Sequence, residues 1–247
     1  MAKTDYYFAA DAHLALDVGN AAEREQRFVH WLEDAAQHAK AIYLLGDIFD
    51  FWCEYKNVVP KGYVRTLGKL AELTDKGVEI HFFTGNHDLW TFGYLAKETG
   101  VIVHHEPLEI TLEGKTFYLA HGDMTGAVPK GYKILRTMFA SPIFQCCFSA
   151  IHPRWGVRFA HRWSHSSRLT KGIKTPFRGD DEQLMAFAKT YAQTHAIDYF
   201  IFGHRHTPIA TPVNNTSQLF ILGEWIEGCE YAVFDGNKVT IRKAYTI

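Results

Sequence analysis

A chain of 247 residues, 47% hydrophobic and 15% aromatic, can bury an ordinary globular core, which excludes a disordered or collagen-like protein. The net charge of -1 excludes a chain that is basic or acidic throughout, yet the charge is segregated: residues 124–179 hold ten Lys and Arg and no acid, leaving -11 on the remainder. A basic block of that kind faces something anionic.

Tyr6 to Ala10 reads as a strand entering Asp11-Ala12-His13, and Glu23 to His38 carries Phe28, Trp31, Leu32, Ala35 and Ala36 near helical spacing. Ala41 to Leu45 is a second strand ending in Gly46-Asp47, where glycine permits the sharp turn that presents the carboxylate. Tyr63 to Lys76 repeats the helical pattern and stops at Gly77. Val78 to Phe83 is a third strand, leading to Gly85-Asn86-His87-Asp88. Leu89 to Thr99 is predicted as a helix stopped by Gly100, and Val101 to His104 as a fourth strand. Strand and helix in alternation indicate a mostly parallel sheet with helical crossovers.

The rhythm then changes. Leu108 to Leu112 and Thr116 to Ala120 read as a hairpin around Glu113-Gly114-Lys115, ending in His121-Gly122-Asp123. Met124 to Arg178 is helical, basic and aromatic. Glu182 to Thr194 is a helix, Asp198 to Phe202 a strand entering Gly203-His204-Arg205-His206, and short strands at Ile209 to Val213, Gln218 to Leu222, Glu230 to Phe234 and Lys238 to Tyr245 close the chain. The expected fold is α/β: two sheets face to face with helices outside, one domain over 1–247 with a helical insert at 124–178. Cys53, Cys146, Cys147 and Cys229 show no CxxC spacing and read as reduced thiols of a cytosolic protein. Met1 to Tyr6 leads straight into a strand, so no secretory signal is expected. The apolar run Met138 to Ile151 is broken by Pro142 and Gln145 and is too short to span a bilayer.

Five motifs follow apolar strands in order, each supplying a carboxylate, an amide oxygen or an imidazole. Singly they are weak: Asn86 reads as a turn residue, and His121 as a strand-end histidine. Together they point to one centre. Residues i and i+2 at a strand end point the same way, so Asp11 and His13 are expected on one side, as are His204 and His206. One metal then takes Asp11, His13, Asp47 and His206, and a second takes Asp47, Asn86, His121 and His204. Mixed nitrogen and oxygen ligands suit divalent ions such as Mn²⁺, the expected pair, or Fe²⁺ or Zn²⁺, better than Mg²⁺ or Ca²⁺. Two dications against Asp11, Asp47 and a hydroxide leave the site positive, which suits a phosphate ester. Ions roughly 3.5–4 Å apart make hydroxide near neutral pH and clamp attacking and leaving oxygens. His87 is expected to touch the phosphoryl group or protonate a leaving oxygen, with Asp88 orienting its ring.

These motifs resemble those of the calcineurin-like metallophosphoesterases over Asp11 to His206. The resemblance implies a four-layer α/β/β/α sandwich and two-metal chemistry. Within that superfamily, Gly46-Asp47-Ile48-Phe49-Asp50-Phe51-Trp52 and the insert between His121 and His204 resemble the UDP-2,3-diacylglucosamine hydrolases of lipid A biosynthesis. That implies water attack on the α-phosphorus of the nucleotide diphosphate, releasing UMP and 2,3-diacylglucosamine 1-phosphate. The chain departs from a familiar branch at His87, where that branch has Arg, and at Thr125-Gly126-Ala127, where it has an acidic pair.

In the insert, Phe139, Phe144, Phe148, Ile151 and Trp155 interleave with Arg154, Arg158, Arg162 and Arg168. A cationic helix with an aromatic face lies in a membrane interface, or lids a groove for acyl chains; the alternative is a pair of amphipathic helices with a solvated basic face. Arg168 and Lys171 are expected at the diphosphate, and Phe148, Trp155 and Trp52 at the rest of the substrate. The expected substrate is a lipid-linked nucleotide sugar, met by a cytoplasmic protein peripheral to the inner membrane, with neither nucleic acid nor an obligate protein partner. The alternatives are another phosphoesterase (nucleotide phosphodiesterase, nuclease or protein phosphatase) and a non-catalytic scaffold on the same fold.

Overall fold

The computed structural model describes residues 3–158 and 176–244. Asn20 starts the first helix, α1 (Ala21–Ala36), by accepting the Glu23 N–H on its side chain, and α1 buries Phe28, Trp31 and Leu32. Strands β1 (Asp5–Ala9), β2 (Ala39–Leu45), β3 (Glu79–Phe83) and β4 (Ile102–His104) run parallel in that order. Helices α1, α2 (Val64–Asp75) and α3 (Tyr94–Thr99) supply the crossovers between them. β2 is buried at every position but Lys40, as a strand covered on both faces must be.

The hairpin β5 (Leu108–Leu112) and β6 (Lys115–Ala120) opens a second sheet with β7 (Tyr199–Phe202), β8 (Ile209–Pro212) and β9 (Gln218–Ile221). Its order is β5-β6-β7-β9-β8. β10 (Glu230–Phe234) and β11 (Val239–Lys243) return to the first sheet, giving β11-β10-β1-β2-β3-β4. Phe8, Tyr43, Phe83, Phe117, Ile201 and Phe234 fill the space between the sheets. On the outer faces, α1 and α2 cover the first sheet, and the helix Gln183–Tyr191 covers the second through Leu184, Met185 and Ala188. The layers are therefore α/β/β/α, as expected from the sequence.

One predicted helix, Leu89 to Thr99, is wrong over its first five residues. α3 begins at Tyr94, not Leu89. The N–H groups of Phe92, Tyr94 and Leu95 go to the Glu54 carboxylate, and Gly93 sits at φ 130°, outside helical space. A carboxylate from elsewhere in the chain therefore caps α3 and leaves 89–93 as a loop.

After β6 come α4 (Lys130–Ala140) and α5 (Pro142–Ser149), with residues 153–158 again helical. Pro142 breaks the two helices apart: it cannot continue α4 but suits the first turn of α5. Neither helix has a fully buried residue. No helix among the described residues is long and apolar enough to cross a membrane. The helix Gln183–Tyr191 is α6 below.

Candidate active site

The C-terminal ends of β1, β2, β3, β6 and β7 meet at one edge of the sandwich, and the five motifs are the loops beyond them. Backbone hydrogen bonds lace these loops together: Asp11 N–H to Gly46 O, His13 N–H to Asp47 O, and Gly203 N–H to His121 O, each at 3.0 Å. Gly46, at φ 86°, cannot be larger, since a Cβ there would sit 2.7 Å from His121 Nδ1. At Gly85 a Cβ would strike Asp47 Oδ1.

Three three-residue clusters result among the described residues, one of them His13, Asp47 and His87. Asp11, His13 and His206 place ligand-type atoms within 4.8 Å of one another, and so do Asp47, His121 and His204. Asp47 Oδ2 stands between them, 4.0 Å from His13 Nε2 and 3.3 Å from His121 Nε2. The Asn86 amide oxygen lies 3.3 Å from His121 Nε2. All seven residues expected as ligands thus come together. The means differs from the expected strand alternation. Asp11, His13, Asp47, His204 and His206 all lie past their strand ends with positive φ, between 43° and 67°. Left-handed turns, each costing on the order of 1–3 kcal/mol for a side-chain-bearing residue, aim these groups inward.

The charges fit bound cations. Asp11 Oδ1 is buried and accepts no hydrogen bond, 3.2 Å from His206 Nε2 and 3.7 Å from His13 Nε2. An orphaned carboxylate oxygen between imidazole nitrogens is the arrangement a metal ion satisfies. Burial alone would raise the Asp47 carboxyl, but the imidazoles of His121 and His87 hold it well below its ordinary value. His204 is pushed down to about 4 by burial and by the neighbouring His121, which favours a neutral ring, whereas the Asp47 carboxylate holds His121 well above its ordinary value despite burial. The His121 ring places Nδ1 2.8 Å from Leu45 O, which directs Nε2 toward Asp47 and Asn86.

Asp88 does not orient His87. Its carboxylate is buried and accepts backbone N–H groups from Gly85, Asp47, Ile48 and Phe49 at 2.6–3.4 Å, bracing the Asp47 loop against the Asn86 loop. Burial and the nearby Asp47 push it up to about 7. The His87 ring is set instead by the Asp50 carbonyl, 2.7 Å from Nδ1, which leaves Nε2 4.0 Å from Asp47 Oδ2. The Asp50 carboxylate stands 3.7 Å from His13 Nδ1 and 3.8 Å from His87 Nδ1. Its place in Gly-Asp-x-x-Asp was the signal for it, and sequence reasoning passed over that signal.

A cavity of about 530 Å³ opens beside Asn86 and His87 and runs under the insert, walled by Trp90, Phe139, Phe144, Phe148 and Trp155. Phe148 packs on Trp90 with ring centroids 4.4 Å apart, while Trp155 is 59% exposed at the rim. Trp52 also lines this cavity. It is 1% exposed, stacks on Phe49 and donates from Nε1 to Glu54, so it builds the wall rather than presenting a face. Arg168 and Lys171 lie outside the described residues. A second cavity of about 550 Å³, lined by His104, His121, Asp123 and Thr125 among others, adjoins the first. Arg136 of α4 borders both. It had not been singled out from the sequence.

Residues 6–208 match the family model described as Calcineurin-like phosphoesterase. A protein of Porphyromonas gingivalis (strain ATCC BAA-308 / W83) named UDP-2,3-diacylglucosamine hydrolase is 41% identical over 254 aligned residues, covering 97% of each chain. Proteins of the same name from Nitrosococcus oceani and Yersinia pestis bv. Antiqua (strain Angola) are 26% and 28% identical, over 90% and 93% of this chain and 88% and 95% of their own.

Proposed function

The chain belongs to the calcineurin-like phosphoesterase family, and on that premise we propose that it is a metal-dependent hydrolase of UDP-2,3-diacylglucosamine, yielding UMP and 2,3-diacylglucosamine 1-phosphate. The observation that carries the lipid part is the aromatic cavity that starts at Asn86 and His87 and continues under α4 and α5. A cyclic nucleotide would fill only a small part of such a groove. Acyl chains do, at about 0.8 kcal/mol per buried methylene.

In this reading Asp11, His13, Asp47 and His206 hold one divalent ion, and Asp47, Asn86, His121 and His204 a second. Mn²⁺ is the proposed ion, with Fe²⁺ and Zn²⁺ as alternatives on the same donor set. Such ions supply Lewis acidity and an acidified water. The chain's own groups do the rest. Left-handed backbone fixes the proposed ligands in advance, Asp88 braces two of their loops, and Asp50 holds the His87 ring through its carbonyl while its carboxylate faces His13. His87 Nε2 touches the phosphoryl group. It has little protonation to do, since a sugar phosphate leaves as a stable anion.

Residues 124–178 act as a lid within one domain, with Arg168 and Lys171 reaching the diphosphate. Peripheral attachment to the cytoplasmic face of the inner membrane is supported by exposed apolar side chains of the insert. Ile134 is 71% exposed, Ile143 77% and Trp155 59%, beside Lys130, Lys133, Arg154 and Arg158. The test is a substrate panel: UDP-2,3-diacylglucosamine, a cyclic nucleotide, single-stranded DNA and a phosphopeptide, with products identified by mass spectrometry. UMP from the first, well above turnover of the others, is the expected result. Preference for any other member refutes the assignment.

A further inference from the structure

We propose that Arg136 binds the phosphate of the leaving group, a role that rests on the diphosphate reading above. Its Nε donates to Asp123 Oδ2 at 2.9 Å, and Tyr132 Oη donates to the same oxygen at 3.3 Å. Asp123 is 7% exposed and lies two residues beyond His121, so this anchor ties α4 to a ligand loop. The two Nη groups donate to nothing among the described residues, and the side chain is 13% exposed. They border the apolar cavity that contains Asn86 and His87, and the adjoining cavity that contains His121. Among the described residues lining the apolar cavity, Arg136 is the one with a permanent positive charge. A guanidinium held by Nε has its remaining fork available for bidentate contact with a phosphate.

The placement matches the chemistry of cleavage. When the P–O bond from the α-phosphorus to the bridging oxygen breaks, that oxygen keeps the electron pair and the sugar phosphate gains a negative charge. The charge develops on the side toward the acyl groove, where Arg136 stands.

The test uses Arg136→Lys, which keeps the charge beside Asp123 and loses the fork, and Arg136→Gln, which loses both. Titration calorimetry measures binding of glucosamine 1-phosphate, a soluble piece of the leaving group, to the metal-loaded full chain. Turnover is then compared on UDP-2,3-diacylglucosamine and on bis(p-nitrophenyl) phosphate, whose leaving group has no phosphate. Binding should weaken by about 10- to 100-fold in either variant, the size of one lost charge-assisted hydrogen bond. The loss of kcat/KM on the diphosphate should exceed that on the diester by at least about ten-fold. Equal losses on both substrates, unchanged glucosamine 1-phosphate binding, or no binding by the wild type would each overturn the proposal. A melting scan identifies a variant that has merely unfolded, in which case the other variant decides. A wild type that binds glucosamine 1-phosphate but leaves UDP-2,3-diacylglucosamine intact would refute the function and not the phosphate site.

Discussion

Replacing Phe148 tests the lid most directly. Its ring is half-buried, packs on Trp90 at 4.4 Å between centroids, and forms the groove wall nearest Gly156, where an added Cβ would come within 2.9 Å of Phe148 Cζ. Acyl chains threading this groove would touch that ring face. Phe148→Ala removes contact worth about three methylenes, or roughly 2.4 kcal/mol at 0.8 kcal/mol each. At 1.4 kcal/mol per factor of ten, that is about a 50-fold rise in KM for the diacyl substrate. Phe148→Asp should do worse, because it also places a carboxylate against hydrocarbon. The assay is UMP release in mixed micelles at fixed detergent, run beside hydrolysis of bis(p-nitrophenyl) phosphate. The informative quantity is the ratio of the two losses, which should reach at least ten. The residues proposed to hold the ions are not touched, so the diester should report mostly on the chemistry. A ratio near one, with a melting temperature close to wild type, would refute the reasoning and remove the main physical support for a lipid substrate.

Three further outcomes follow from the site. Asp47→Ala should abolish turnover and lower metal content more than Asp11→Ala does, because Asp47 stands between the two proposed ion sites; plasma emission analysis of the two purified variants checks it, and equal retention of two ions would end the shared-ligand assignment. His87→Ala should cost more on an ester with a poor alcohol leaving group than on a nucleotide diphosphate, by up to the roughly 10²- to 10⁴-fold of a general acid. Equal damage on good and poor leaving groups would leave His87 as a phosphate contact alone. Asp88→Ala should act through stability, since it orphans buried N–H groups at roughly 1–3 kcal/mol each; a melting temperature unchanged from wild type would contradict that bracing role.

The sequence by itself determined the order of elements, the layering and which side chains gather at the strand ends. Those features are written in local patterns. A strand buried on both faces reads as an unbroken apolar run, as Ala41 to Leu45 does, and an amphipathic helix repeats near every third or fourth residue, as α1 does. Metal-type ligands recur beside glycines at strand ends, where backbone can turn. What only the tertiary structure decided depends on groups far apart in the chain. Glu54 takes the N–H groups that a helix from Leu89 would have needed, across 38 to 41 residues. Asp88 follows His87 directly, yet its lone pairs are claimed by N–H groups about 40 residues away, so its neighbour is oriented by the Asp50 carbonyl. Arg136 looked like one cation among ten in a basic block until folding placed it between two cavities with Asp123 on its Nε. Periodicity and motif spacing report what a residue does to its own segment. Which buried donor meets which acceptor is settled only when every segment competes for the same partners.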